Sequence, residues 1–172
     1  MKYTFLAGFL MTASLFGASI HDFTMKSIDG KDLPLSSFKG KAVLVVNTAS
    51  QCGLTPQYTA LEAINKKYAG QGLVVLGVPA NNFGGQEPGT EQEIKTFCER
   101  NYKVSFPLTS KVSVKGSDQA PLFKYLSEAT AEPDWNFTKY LVGKDGKVIK
   151  RFAPNTTPDA AEVTAAIEAA IK

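Results

Sequence analysis

The chain has 172 residues, 44% of them hydrophobic and 20% charged, with a formal net charge of +3. That is the composition of one soluble globular domain. It excludes disorder, collagen and coiled coil, and it offers no concentrated basic charge with which to hold nucleic acid. Two cysteines and one histidine are too few for a disulfide scaffold or a Cys/His zinc site, so two thiols remain to be explained.

In Met1 to Ser19, Lys2 precedes a mostly apolar stretch from Phe5 to Phe16. This stretch is shorter than the roughly 20 residues that span a membrane, and Gly17-Ala18-Ser19 supplies small residues for a signal peptidase. Residues 1–19 are read as a secretory signal peptide cut after Ala18 or Ser19. That reading predicts export, into a periplasm, with no stable membrane insertion. The alternative is a cytoplasmic chain with an apolar arm. Residues 20–172 carry no linker, repeat or low-complexity tract and are read as one domain.

Phe23 to Ile28 and Lys31 to Leu35 flank Asp29-Gly30, a tight-turn pair, and predict a β-hairpin. Lys41 to Asn47 is nearly all apolar, as in a strand covered on both faces. Thr55 as cap and Pro56 in the first turn predict a helix with Leu61, Ile64 and Tyr68 on one face, ending at Gly70 and Gly72. Leu73 to Val78 is a second buried strand, so strand, helix and strand form a right-handed βαβ unit. Thr90 and Glu93 have capping-box spacing and open a helix whose Ile94, Phe97 and Cys98 share a face. Another helix is predicted around Leu122 to Ala129. Phe137 to Val142 and Lys147 to Phe152 flank Gly143-Lys144-Asp145-Gly146, a second hairpin. Thr157-Pro158 opens a last helix, with Val163, Ala166, Ile167, Ala170 and Ile171 as its apolar stripe. This order predicts an α/β, thioredoxin-like fold: a central mixed β-sheet flanked by helices, with an N-terminal β-hairpin.

In open α/β sheets, functional groups gather beyond the carboxyl ends of parallel strands. Cys52 lies there, in Asn47-Thr48-Ala49-Ser50-Gln51-Cys52-Gly53-Leu54-Thr55, just before a helix N-terminus whose dipole favours thiolate over thiol. A buried inert cysteine is the plain alternative. Cys52-Gly53-Leu54-Thr55 occupies the place of a thioredoxin Cys-x-x-Cys, with threonine for the second cysteine, so no local disulfide can form. The second strand leads into a loop with Gly84-Gly85-Gln86, which the pairing should bring beside Cys52. Trp135-Asn136 precedes the strand at Phe137. If that strand is antiparallel, an indole and a carboxamide reach the same edge; otherwise Trp135 is a core aromatic. His21, the lone histidine, is expected to be a surface or edge residue.

These residues resemble the glutathione peroxidases in their cysteine-containing, non-selenium form. The resemblance runs from about Phe23 to the C-terminus. It rests on the Cys52 motif, on Asn82-Phe83-Gly84-Gly85-Gln86-Glu87-Pro88-Gly89 and on Trp135-Asn136-Phe137-Thr138-Lys139, in that order. It implies that Cys52 is the peroxidatic cysteine, that Gln86, Trp135 and Asn136 complete a catalytic tetrad, and that Cys98 is the resolving cysteine of the thioredoxin-using branch. It implies a thiol peroxidase acting on hydrogen peroxide and organic hydroperoxides, without cofactor or metal, and regenerated by a thioredoxin-like protein or glutathione. The short stretch between Ala131 and Trp135 matches the monomeric type and weakens the case for glutathione. In such a cycle Cys52 becomes a sulfenic acid and Cys98 traps it as a disulfide. A Cys98 starting partly buried would require the helix from Thr90 to Arg100 to unwind in part. The other readings are a binding module with a static Cys52–Cys98 disulfide and a general thiol-disulfide oxidoreductase.

Overall fold

The computed structural model describes residues 18–172. The predicted signal segment therefore lies outside the described residues, apart from Ala18 and Ser19. Ala42–Thr48 (β3) is buried at every position. It runs parallel to Leu73–Pro79 (β4), from the pair Ala42 and Leu73 to the pair Thr48 and Pro79. On its other side it is antiparallel to Lys139–Val142 (β5), with Val46 opposite Lys139. Val148–Phe152 (β6) closes the sheet antiparallel to β5, giving the order β4-β3-β5-β6. The predicted hairpin is a separate sheet of Thr24–Lys26 (β1) and Asp32–Pro34 (β2), and Gly30 turns it at a φ of 77° that only glycine adopts freely.

Among the described residues four α-helices cover the sheet: Gln57–Tyr68 (α1), Glu91–Tyr102 (α2), Pro121–Ala129 (α3) and Ala161–Ile171 (α4). Strand alternation divides the core into two halves. Leu44 and Val46 face one side, with Leu61 and Ile64 of α1, Ile94 and Cys98 of α2, and Val163 and Ile167 of α4. Val43 and Val45 face the other, with Leu122, Phe123 and Leu126 of α3. Each such aliphatic or aromatic side chain contributes roughly 2 kcal/mol through burial. The β3-α1-β4 order with parallel strands is the predicted βαβ unit.

Three boundaries differ from the sequence reading. Pro56, not Thr55, stands at the start of α1, already in helical conformation and without a side-chain cap. The second hairpin begins at Lys139 rather than Phe137, because Phe137 has a φ of 63° and turns the chain before the strand. The last helix begins at Ala161 instead of Thr157. The carbonyls of Ala153, Pro154 and Thr156 accept hydrogen bonds from the Lys139 ammonium at 3.4, 2.9 and 2.5 Å, which holds that segment in turns. His21 is partly buried in a short 3-10 turn.

Lys139 is fully buried with no carboxylate partner among the described residues, and burial pushes its ammonium down to about 7. The unfolded chain keeps the proton up to about 10.4. Between these values the unfolded state binds more protons, so stability from this group rises with pH in that window. Lys139→Met removes this dependence. Urea denaturation at several pH values is expected to show the wild type gaining on the variant by up to about 1.4 kcal/mol per unit above pH 7, with no such gain below pH 6.

Candidate active site

Three segments meet at the edge of the sheet where β3 and β4 end and β5 begins. The first follows β3. Cys52 is 9% exposed, and the Leu54 N–H points at its Sγ from 3.4 Å. The Cys52 N–H donates to Thr55 Oγ1 at 3.0 Å, and that hydroxyl donates onward to the Ala49 carbonyl at 2.8 Å. Thr55, expected to cap α1, instead clasps the loop that carries the cysteine. The amides of Thr55, Gln57, Tyr58 and Thr59 bond three residues back, so the chain is already coiled before α1 proper begins. The amino end of α1 and its partial positive charge thus lie just beyond Cys52.

The second segment follows β4. Gly84 and Gly85 both adopt a φ of 64°, which folds the loop back. The Gln51 N–H donates to the Gln86 carbonyl at 3.0 Å, so Gln86 lies against the neighbour of Cys52. The third segment precedes β5. Asn136 is buried, and its Nδ2 donates to Gln86 Oε1 at 3.0 Å. The Trp135 carbonyl accepts from Asn47 Nδ2 at 3.0 Å, and the Phe137 N–H donates to the Asn47 carbonyl at 2.7 Å. Asn47 therefore fixes this turn, a role its place in the Cys52 motif did not reveal. The Trp135 side chain is 40% exposed and packs 5.5 Å from the Phe83 ring; it is not a core aromatic. Gln86 and Asn136 are joined directly, and Cys52 and Trp135 sit on segments bonded to theirs.

Cys98 occupies a different environment. It is fully buried inside an unbroken α2, in the same core half as Cys52, and both cysteines are free thiols. Burial pushes its thiol up to about 11; the nearby Tyr58 hydroxyl opposes this, while Glu87 and Glu99 add to it. Tyr58 is also fully buried, and burial raises its phenol further. A cleft of about 520 Å³ lies between the Cys52 loop and α2, with Ser50, Gln51, Glu87, Pro88, Ile94 and Phe97 among its walls. No group of three or more His, Cys, Asp or Glu side chains among the described residues is arranged to hold a metal.

The Thr55 clasp has a measurable consequence. Thr55→Val leaves the buried Cys52 N–H without its acceptor and is expected to cost about 1–3 kcal/mol in chemical denaturation. Thr55→Ser keeps the hydroxyl and should recover most of that loss.

The family model described as glutathione peroxidase matches residues 20–127. A glutathione peroxidase homolog from Halalkalibacterium halodurans is 50% identical over 145 residues, covering 81% of this chain and 92% of that protein. A hydroperoxy fatty acid reductase from Synechocystis is 46% identical over 161 residues, covering 87% and 94%. Among solved structures, one described as Trgpx in its apo form superposes with a TM-score of 0.72 at 41% identity, covering 90% of this chain and 95% of that one. The chain belongs to the glutathione peroxidase family and is a cysteine-containing, non-selenium peroxidase.

Proposed function

We propose that Cys52 reduces hydrogen peroxide and organic hydroperoxides, and that Cys98 then resolves the oxidised cysteine for regeneration by a thioredoxin-like protein. The observation that supports this most is the convergence at one sheet edge of the Cys52 loop, the Gln86–Asn136 pair and the exposed Trp135. The Cys52 thiolate attacks one peroxide oxygen; an S–O bond forms and the O–O bond breaks. The other oxygen departs and takes a proton, leaving as water or an alcohol. The Leu54 amide, the carboxamides of Gln86 and Asn136 and the Trp135 indole supply fixed donors around the reacting sulfur and oxygen, where preorganised dipoles lower the barrier. Asn136 Oδ1 has no partner of its own, so that side chain is held only by Gln86.

The product is Cys52 sulfenic acid, which a second thiol must trap before it is oxidised further. Cys98 reaches it by unwinding of the end of α2. The ends of that helix are unequal. Thr90 and Glu93 close the first turn with a reciprocal capping box. The other end stops on Lys103 at a φ of 56°, a left-handed conformation that costs a non-glycine residue about 1–2 kcal/mol, and Cys98 lies about one turn inside it. A helix of this length is marginal alone, so opening from that end is inexpensive. The thioredoxin-like partner next breaks the Cys52–Cys98 disulfide by thiol exchange. The short connection before Trp135 leaves the site open at the surface, as suits a monomer meeting a protein reductant.

Two experiments test this reading. Cys52→Ser is expected to abolish peroxide consumption. Cys98→Ser is expected to form the sulfenic acid once, seen by mass spectrometry after trapping, and to lose thioredoxin-linked turnover; full cycling of that variant rejects the resolving role. We also propose export, with cleavage after Ala18. Ser19 supports that position: its side chain accepts from the His21 N–H at 3.2 Å, and its own N–H donates to Asp22 at 2.8 Å, so it belongs to the domain. An intact mass of the mature protein should begin at Ser19, and a full-length N-terminus in the exporting host rejects the proposal.

A further inference from the structure

Glu87 is 1% exposed, beneath the cleft that separates the Cys52 loop from α2. Its carboxyl takes part in none of the ion pairs among the described residues, and Oε2 has no hydrogen-bond partner. The Lys111 ammonium nearby is spent on main-chain carbonyls, those of Glu87 and Gly89, at 3.1 and 2.7 Å. Ser50 turns its hydroxyl and amide toward the carboxyl, but Ser50 Oγ also lacks a well-formed bond, as do Thr48 Oγ1 and Tyr58 Oη. A buried carboxyl with a free oxygen is costly to keep charged unless it gains a partner or a proton.

The mechanism above leaves one step without a base. Cys98 must lose a proton to attack, and its neighbours hold that proton on. We propose that Glu87 is a further acid–base residue of this site, which takes the proton from the Cys98 thiol and delivers it to the oxygen leaving Cys52. In this step Cys98 Sγ attacks Cys52 Sγ, the S–S bond forms and the S–O bond of the sulfenic acid breaks. The hydroxide that departs receives the proton from Glu87 and becomes water, so the carboxylate is restored and no outside reagent is needed. The inference rests on the proposed resolving role of Cys98.

The surroundings fit that task. Ser50 and Gln51 bring the Cys52 side of the cleft to Glu87, while Ile94 and Phe97 bring the Cys98 side. Glu87 is close enough for its charge to weigh on both Cys98 and Tyr58. Its own carboxyl is raised by burial, with Ser50 and the Lys111 charge opposing, which moves it toward the range where it can both accept and return a proton. The other charged groups nearby are Glu93 on the cleft wall and Glu99 beside Cys98.

Single-turnover stopped flow on the full chain separates the two phases, sulfenic acid formation and disulfide formation, each verified by trapping and mass spectrometry. Glu87→Gln is expected to slow the second phase about 100-fold near pH 7, far more than the first. The slowed phase should then rise about tenfold per pH unit, tracking the Cys98 thiolate, where the wild type levels off. Glu87→Asp should recover much of the rate and keep a plateau. An unchanged second phase in Glu87→Gln, or equal slowing of both phases, overturns the proposal. If Glu87→Gln does not fold, an acid limb that stays unmoved in Glu87→Asp overturns it as well. Wild-type sulfenic acid that accumulates without any Cys52–Cys98 disulfide is a separate failure: it rejects the resolving role of Cys98, and the relay with it.

Discussion

β3 pairs with a parallel strand on one side and an antiparallel strand on the other. A parallel neighbour ends where β3 ends, and an antiparallel neighbour begins there, so both sides of this central strand deliver a loop to one edge. Cys52 leaves from β3, Gln86 from β4, and Trp135 and Asn136 arrive just ahead of β5. The same strand is buried along its whole length. Its position is therefore set by two half-cores, and the edge it carries is rigid without any help from the loops.

What the loops add is a small set of hydrogen bonds, each worth about 1 kcal/mol net. Thr55 ties Cys52 to Ala49, Gln51 ties the cysteine loop to Gln86, and Asn136 ties Gln86 to the turn before β5. Their value lies less in that sum than in the cost of losing a partner in a buried place. The left-handed Phe137 belongs to the same set. Its strained backbone is held by burial of its ring and by the bond to Asn47, and it aims Asn136 toward Gln86 instead of along the strand.

The two thiols illustrate how placement divides labour between chemically identical groups. Cys52 lies near the rim, with an amide aimed at its sulfur and a helix start behind it. Cys98 lies in the core, where burial holds its proton on up to about pH 11. At rest Cys52 keeps a small exposed surface and Cys98 has none. The helix that hides Cys98 is well closed at its start and strained at its end, and the hidden thiol sits about one turn inside that strained end.

Much of this was legible in the sequence because it depends on local pattern. The continuous apolar runs of β3 and β4, the Asp29-Gly30 turn, the Thr90–Glu93 box and the alternation of helix and strand define the fold through forces that act over a few residues. The three motifs likewise marked Cys52, Gln86, Trp135 and Asn136 as one group. Other features had no local signal. Thr55 reads as a helix cap, and only the packed loop shows its hydroxyl turned back to Ala49. Lys139 reads as a strand residue, yet it holds the turn before α4. Glu87 reads as one more loop acid, and its burial beneath the cleft depends on how the loops after β3 and β4 pack against α2. The sequence by itself determined which elements form and which residue types face the edge, since propensity and periodicity are properties of neighbours along the chain. Tertiary structure alone decided hydrogen-bond partners, desolvation and proton affinities, because each depends on groups that sequence keeps far apart.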